Sequence, residues 1–326
     1  MPPRAVTYSP SLTVPLTHDC PWHCRYCGYR SDAQGLLPDA EFHRLLETAT
    51  RRGATEILVL AGEIPDILPH LRSEVRRRGF ASFIDYVRWA CERILERGLL
   101  PHTNIGAMSR AQFDRLARVN ASMGVMLENI DDAFNQTVAP EKSATGRLKT
   151  IAAAGEARVP YTSGILIGLG ESRESRLRSL DALAELHAKH GHLQEILLQN
   201  FVPNQGSALR EAPQVPGLDE YLELIGHWRR VAPGVPIQIP PNLNPHWREL
   251  LPHVDDLGGV SAEGDLVNPD HPWDPPAVYA EACAAHGLVL RHRWAVHDAF
   301  VKRGWVSERV RQVIDDRTRD RPEEAS

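Results

Sequence analysis

Between residues 41 and 201 the sequence repeats one unit: an amphipathic helical stretch, a Gly or Pro break, then a short apolar run. EFHRLLETATRRG leads to EILVLAGE, FIDYVRWACERILERG to LLPHTNIG, and RAQFDRLARVN to ASMGVMLEN. GRLKTIAAAGEARVP then leads to YTSGILIGLGE, and SRLRSLDALAELHAKHG to HLQEILLQNF. In the helical stretches apolar residues recur at helical spacing, as Leu177, Leu180 and Leu183 do, so one face of each is built for burial. The short runs are almost wholly apolar, as parallel strands covered on both faces tend to be. With TVPL near the start, this predicts six βα-type strands by Phe201; a helix at LDEYLELIGHWRRV, then VPIQI and LGGVS, offer two more. Repeated βα units specify an α/β fold with a parallel sheet, either open or closed into a barrel.

In both architectures ligands bind at the C-terminal ends of the strands. The polar residues of this chain collect there: Glu63 after ILVL, His102 and Asn104 after LL, Glu128 after VML, Glu171 after ILIGLG, and Gln199 and Asn200 after ILL. The 37 Lys and Arg against 42 Asp and Glu, a net charge of -5, argue against a nucleic-acid partner. No run of apolar residues is long enough to cross a membrane, and MPPRAVTYSPSLTVPL lacks the apolar core of a signal peptide. The expected compartment is the cytoplasm, where thiols stay reduced and clustered cysteines more often bind metal than pair.

Three of the five cysteines fall in CPWHCRYC, at Cys20, Cys24 and Cys27, directly after the first candidate strand. A structural zinc site needs a fourth ligand. His23 is awkward in that role, because it adjoins Cys24. Cysteines acting as small core hydrophobes have no reason to cluster beside Trp, His and Arg; Cys91 and Cys283, at apolar helix positions, do read as core. The remaining reading is a 4Fe-4S cluster with one iron left open for a substrate or cofactor.

Cys-x3-Cys-x2-Cys after a first β-strand, with Tyr26 before the last Cys, resembles the signature of the radical S-adenosylmethionine (SAM) enzymes. The resemblance implies a TIM-like (βα) barrel of six core βα units, with C-terminal elements completing it. It further implies that Cys20, Cys24 and Cys27 hold a 4Fe-4S cluster, whose open iron is chelated by the methionine part of SAM. Reductive cleavage in that family releases a 5'-deoxyadenosyl radical that abstracts hydrogen from the substrate. Gly62 and Glu63 resemble the element that receives the SAM amino group, Glu128 the ribose contact, and Arg147 the arginine facing the SAM carboxylate. GILIGLGE, from Gly164 to Glu171, is similar to a fifth-strand motif whose backbone, around Ile167 and Gly168, packs beside adenine. Tyr26 and Asn104 join this SAM-facing set. Taken singly, these residues have plainer readings: Glu63 and Glu171 as acids at helix N-termini, Glu128 paired with a lysine, Arg147 covering a helix surface. The expected organisation is one domain over 1–310, with the cluster loop at 20–27 and a C-terminal extension from about 235, then a polar tail over 311–326.

The likeness runs from Thr13 to Trp273 and extends to the small subunit of deazaflavin (FO) synthase, the CofG type; GHLQEILLQNF is its most discriminating stretch. It implies a lyase in coenzyme F-420 biosynthesis. A sister subunit of the CofH type joins a p-hydroxybenzyl group to a ribitylaminouracil, giving the p-hydroxybenzyl ribityliminouracil intermediate, and the small subunit closes the 5-deazaflavin ring with loss of ammonia. A reductant protein such as ferredoxin or flavodoxin would supply the electron. For such a substrate Gln199, Asn200, Asn242 and Asn268 are the expected uracil and ribityl contacts. Tyr161 and His102 are the candidate phenol partners and proton acceptors, with Glu63 a further candidate. Amides at strand ends also commonly satisfy backbone groups. His246, His253, His271 and His292 read as surface or capping residues. Departures from the family pattern at Pro21-Trp22-His23, Ile64-Pro65-Asp66 and FVPNQGSAL leave two other functions open. These are a radical SAM paralogue acting on another small molecule and a metal-binding barrel without catalysis.

Overall fold

The computed structural model describes residues 3–32 and 34–320. Among the described residues nine strands form one sheet: β1 (Ala5–Pro15), β2 (Glu56–Leu60), β3 (Leu100–Asn104), β4 (Ser122–Gly124), β5 (Tyr161–Ile167), β6 (Leu193–Asn200), β7 (Ile237–Gln238), β8 (Asp256–Ser261) and β9 (Val289–His292). Every pairing is parallel, and β1 bonds both β2 and β8, so β1 to β8 close into a barrel. Closure rests on the length of β1. Its first residues, Ala5 to Tyr8, pair with β9, its middle with β8, and Ser11 to Pro15 with β2. The strands predicted from TVPL to LGGVS are all present, whereas β9 has only a short mixed signal, VLRH.

Period-two alternation divides each strand between two environments. On β2, Ile57 and Val59 are fully buried in the apolar layer beneath the helices, with Phe42, Leu46, Leu71 and Ile94. Burying one such side chain contributes about 1.5–3 kcal/mol. The other face of β2 turns Glu56, Leu58 and Leu60 into the barrel. Residues projecting inward from neighbouring strands are small or polar, among them Ser11, Thr13, Gly124, Thr162, Gly259 and Ser261. A barrel lined in this way is not filled by its own side chains.

β4 ends at Gly124, earlier than VML suggests, and Glu128 rejoins the sheet through a single bridge to Ile165. Glu128 has φ of 68°, a left-handed conformation costly for a side-chain-bearing residue. Its N–H donates to the Gly164 carbonyl and its carbonyl accepts from Leu166 N–H, both at 3.1 Å. These bonds hold the turn that aims its carboxylate inward.

Residues 311–320, expected as tail, continue the helix Glu308–Asp320. Val310, Val313 and Ile314 are buried, and Arg317 Nε donates to the Gly98 carbonyl at 2.8 Å. Three apolar residues at i, i+3 and i+4 suffice for a docking stripe despite the charged surroundings. The end of the expected tail, 321–326, lies outside the described residues.

Between β9 and this helix the chain crosses the N-terminal ends of the strands. Arg293 bonds Asp256 at 2.6 and 2.8 Å and Glu195 at 3.1 Å; His297 Nε2 lies 3.0 Å from Glu195. The Ala295 carbonyl accepts from Ser122 Oγ and from Gln194 Nε2. This segment is the floor of the barrel.

Candidate active site

Two connected cavities run down the barrel axis. The upper, about 230 Å³, lies at the C-terminal ends of the strands and is lined by Cys20, Cys24 and Cys27 with Glu63, Glu128 and Arg147. The lower, about 300 Å³, descends to Glu56, His102, Glu195 and Arg293. Asn104, Gln199 and Asn268 line both and mark the junction.

The cysteine loop is anchored from several sides. Asp19 accepts from Gln34 and Gly35 N–H at 2.8 and 3.0 Å, and its Oδ2 lies 2.7 Å from His70 Nε2. Arg30 Nε donates to the Cys20 carbonyl, and Arg25 N–H to the Val138 carbonyl. Glu63 N–H points at Cys20 Sγ, 3.3 Å away. A Cβ at Gly62 would sit 2.3 Å from the Asp19 carbonyl oxygen, so only glycine lets β2's end pass this close to the loop. All three thiols are free, and burial pushes Cys24 up to about 12. His23 turns away from them: its ring faces Glu141 at 3.3 Å and Arg30 at 3.0 Å, with the side chain 63 % exposed. The trio therefore gains no fourth ligand from His23, and three thiols suit a cluster with an open iron better than a closed zinc site.

Opposite the thiols sits a buried charge network. Lys142 Nζ lies 2.5 Å from Glu128 Oε1 and 2.9 Å from Tyr26 Oη, and Tyr26 donates to Glu128 Oε2. Burial works to raise the Glu128 pKa, but Lys142 and Arg147 outweigh it and hold the carboxyl below its ordinary value. The lysine pairing weighed from sequence is thus real, yet Lys142 itself carries no periodic or motif signal. Arg147 bonds Glu63 through Nη2 and lies over the Trp22 ring, while its Nε and Nη1 are buried without partners. Glu63 Oε2 also accepts from Ala107 N–H at 2.9 Å. A buried guanidinium with two spare donors fits a carboxylate ligand.

Of the other expected site residues, Tyr161, Asn242, Ile167 and Gly168 line neither cavity, whereas Asn200 lines the upper one. Tyr161 lines neither cavity: it is buried at the start of β5, with its ring against Phe113 and His192. Thr162, its neighbour, takes the inward position, and strand alternation sends Tyr161 outward. Asn242 also lines neither cavity; its Nδ2 donates to Asp265 and the His271 carbonyl, both at 2.9 Å, and holds a loop. Ile167 and Gly168 sit behind the wall that Leu166 forms. Gly168 and Leu169 N–H donate to Glu171 at 2.9 and 2.8 Å, and Arg176 Nε adds a third bond at 2.6 Å, so Glu171 braces the turn after β5. Asn200 reaches the upper cavity and is pinned by a 2.7 Å bond to the Leu243 carbonyl.

Residues 14–183 match the Radical SAM superfamily. The chain is 38% identical over 310 residues to the 7,8-didemethyl-8-hydroxy-5-deazariboflavin synthase of Methanosarcina acetivorans, covering 93% of each chain. It is 37% identical over 316 residues to the synthase of the same name from Archaeoglobus fulgidus, covering 96% of each. The chain belongs to the radical SAM deazariboflavin synthase family. In fold, this synthase-family chain resembles the FeFe-hydrogenase maturase HydG, with a TM-score of 0.72 at 17% identity over 96% of this chain and 77% of that one. It also resembles methylornithine synthase, with a TM-score of 0.64 at 15% identity over 88% and 83%. Radical SAM membership implies a 4Fe-4S cluster and SAM. The free thiol trio, the spare donors of Arg147 and the Glu128–Lys142 pair are the features of this deazariboflavin synthase relative that suit them.

Proposed function

We propose that this chain closes the 5-deazaflavin ring of FO, 7,8-didemethyl-8-hydroxy-5-deazariboflavin, from a p-hydroxybenzyl ribityliminouracil supplied by a sister subunit. Ammonia leaves in the step, which makes the enzyme an ammonia-lyase of the radical SAM type in coenzyme F-420 biosynthesis. The observation that carries this reading is the pair of joined cavities, thiol-lined above and polar below, in a chain alignable end to end with named deazariboflavin synthases. When bound, the cluster and SAM supply the radical that starts the reaction.

The chain's own residues divide the remaining work. Cys20, Cys24 and Cys27 hold the cluster on the anchored loop. Arg147 presents its spare donors to the SAM carboxylate, Glu63 and Gly62 receive the amino group, and Glu128 and Asn104 face the ribose. Gln199 and Asn268, at the junction of the cavities, meet the uracil, whose paired donors and acceptors match side-chain amides. The excavated barrel below them excludes bulk water from the substrate. A ferredoxin- or flavodoxin-like protein delivers the electron. No helix among the described residues is long and apolar enough to cross a membrane.

The test is mass spectrometry of an anaerobic reaction containing reconstituted protein, reductant, SAM, the sister subunit, tyrosine and the diaminouracil. Deazaflavin that appears only when this chain is present supports the reading. If 5'-deoxyadenosine forms without deazaflavin, the substrate is another small molecule and the assignment to FO fails.

A further inference from the structure

The lower cavity contains one imidazole whose hydrogen-bonding direction can be deduced. His102, on β3, places Nδ1 2.7 Å from Ser122 Oγ. Ser122 Oγ in turn bonds the Ala295 carbonyl oxygen, which can only accept. A serine hydroxyl has a single proton, and here it is committed to that carbonyl. Ser122 Oγ must therefore accept from His102, so Nδ1 carries the ring proton and Nε2 carries a lone pair.

The surroundings of Nε2 keep that lone pair available. On the adjacent strand the inward position facing it is Gly124, where a Cβ would sit 3.2 Å from Nε2; glycine leaves this space to the cavity. Ser122 is fully buried, so water does not compete for its hydroxyl. Burial also lowers the His102 pKa; Glu56 and Glu195 oppose this and Arg293 adds to it, with a net lowering that favours the neutral ring. The Ala295 carbonyl belongs to the floor segment and is held by a second donor, Gln194 Nε2.

We infer that Ser122 and the Ala295 carbonyl lock His102 as the Nδ1–H tautomer, presenting Nε2 as the acceptor for an N–H or O–H of the substrate in the lower cavity. Ser122 and Ala295 are positioning residues in this device, and the C-terminal segment is part of the substrate site through Ala295. The substrate half of the inference rests on the ring-closing function proposed above; the tautomer does not.

The experiment is long-range ¹H–¹⁵N NMR on the full chain with reconstituted cluster and ¹⁵N-labelled histidine, with the His102 signals identified by their loss in His102→Gln. In the wild type, His102 should show a protonated Nδ1 and a bare Nε2. In Ser122→Ala the preference should relax toward a mixture of tautomers, with deazaflavin formation falling roughly three- to tenfold, the size of one net hydrogen bond. In His102→Gln deazaflavin formation should fall tenfold to a hundredfold, as expected when a buried donor loses its acceptor, while SAM cleavage to 5'-deoxyadenosine persists. A protonated Nε2 in the wild type, or a tautomer unchanged in a folded Ser122→Ala variant, overturns the inference. Absence of deazaflavin from the wild type would instead defeat the ring-closing function, and the NMR result would still decide the tautomer.

Discussion

Arg147 and Glu63 form an ion pair inside the upper cavity, and the arginine keeps two buried nitrogens, Nε and Nη1, without any partner. Unpaired buried donors are costly in an otherwise satisfied interior. The cost is recovered when an anion arrives. Arg147→Lys replaces the planar fork with a point charge and is expected to weaken SAM binding about ten- to a hundredfold, the loss of one or two charge-assisted bonds. Anaerobic equilibrium binding of SAM to the folded variant checks this.

Cys24→Ala should remove the iron. Cys24 lines the upper cavity with Cys20 and Cys27, and two thiols would not retain a cluster that needs all three. Iron and sulfide analysis after anaerobic reconstitution should fall to background, with a colourless protein. Retention of a full complement of iron would show that the trio is not the ligand set.

Lys142→Met should leave Glu128 buried beside Tyr26 without its paired lysine and with Arg147 as the remaining nearby cation, a loss of roughly 3–5 kcal/mol at neutral pH. The sign of its pH dependence follows from Glu128. In the native fold its pKa is lowered from 4.5, so its contribution to stability is complete above that value and is lost as pH falls through the folded pKa. The variant loses the main cation opposing burial, so its carboxyl takes up a proton at a higher pH, and the gap between wild type and variant should narrow as pH falls from the variant's pKa to the lowered one of the wild type. Denaturant unfolding at a series of pH values measures it; a gap independent of pH would contradict the pairing.

Gln199→Leu removes the amide at the junction of the cavities, whose side chain makes no hydrogen bond to the protein among the described residues. The fold should lose little stability. Deazaflavin formation should show KM for the substrate raised about tenfold, with SAM binding preserved. Equal losses in SAM and substrate binding would place Gln199 on the cofactor instead.

Ile314→Ala, in the helix Glu308–Asp320, should lower stability by about 2–4 kcal/mol, since the residue is buried with Val310 and Val313 against the barrel core. A lowered Tm with an unchanged circular dichroism spectrum is the expected result. No change in Tm would show that the helix contributes nothing to the core, as a polar tail over this segment would have it.

Much of the site was legible because its signals are local. The spacing of Cys20, Cys24 and Cys27, the glycines of GILIGLGE and the polar residues ending each apolar run sit within short windows, and the βα alternation states the strand count almost directly. The sequence by itself determined a parallel α/β fold and a three-thiol loop at the mouth of its sheet.

What the tertiary structure alone decided depends on contacts between distant residues. Closure into a barrel came from a β1 long enough to hold β2, β8 and β9 at once. Whether Tyr161 or Thr162 faces inward is a matter of strand phase, which a mostly apolar strand does not announce. The orientation of the His102 ring is set by Ser122 and, beyond it, by a carbonyl 173 residues further along the chain. Hydrogen-bond direction of that kind leaves no trace in the spacing of side chains, because the deciding acceptor is backbone, and every residue has one.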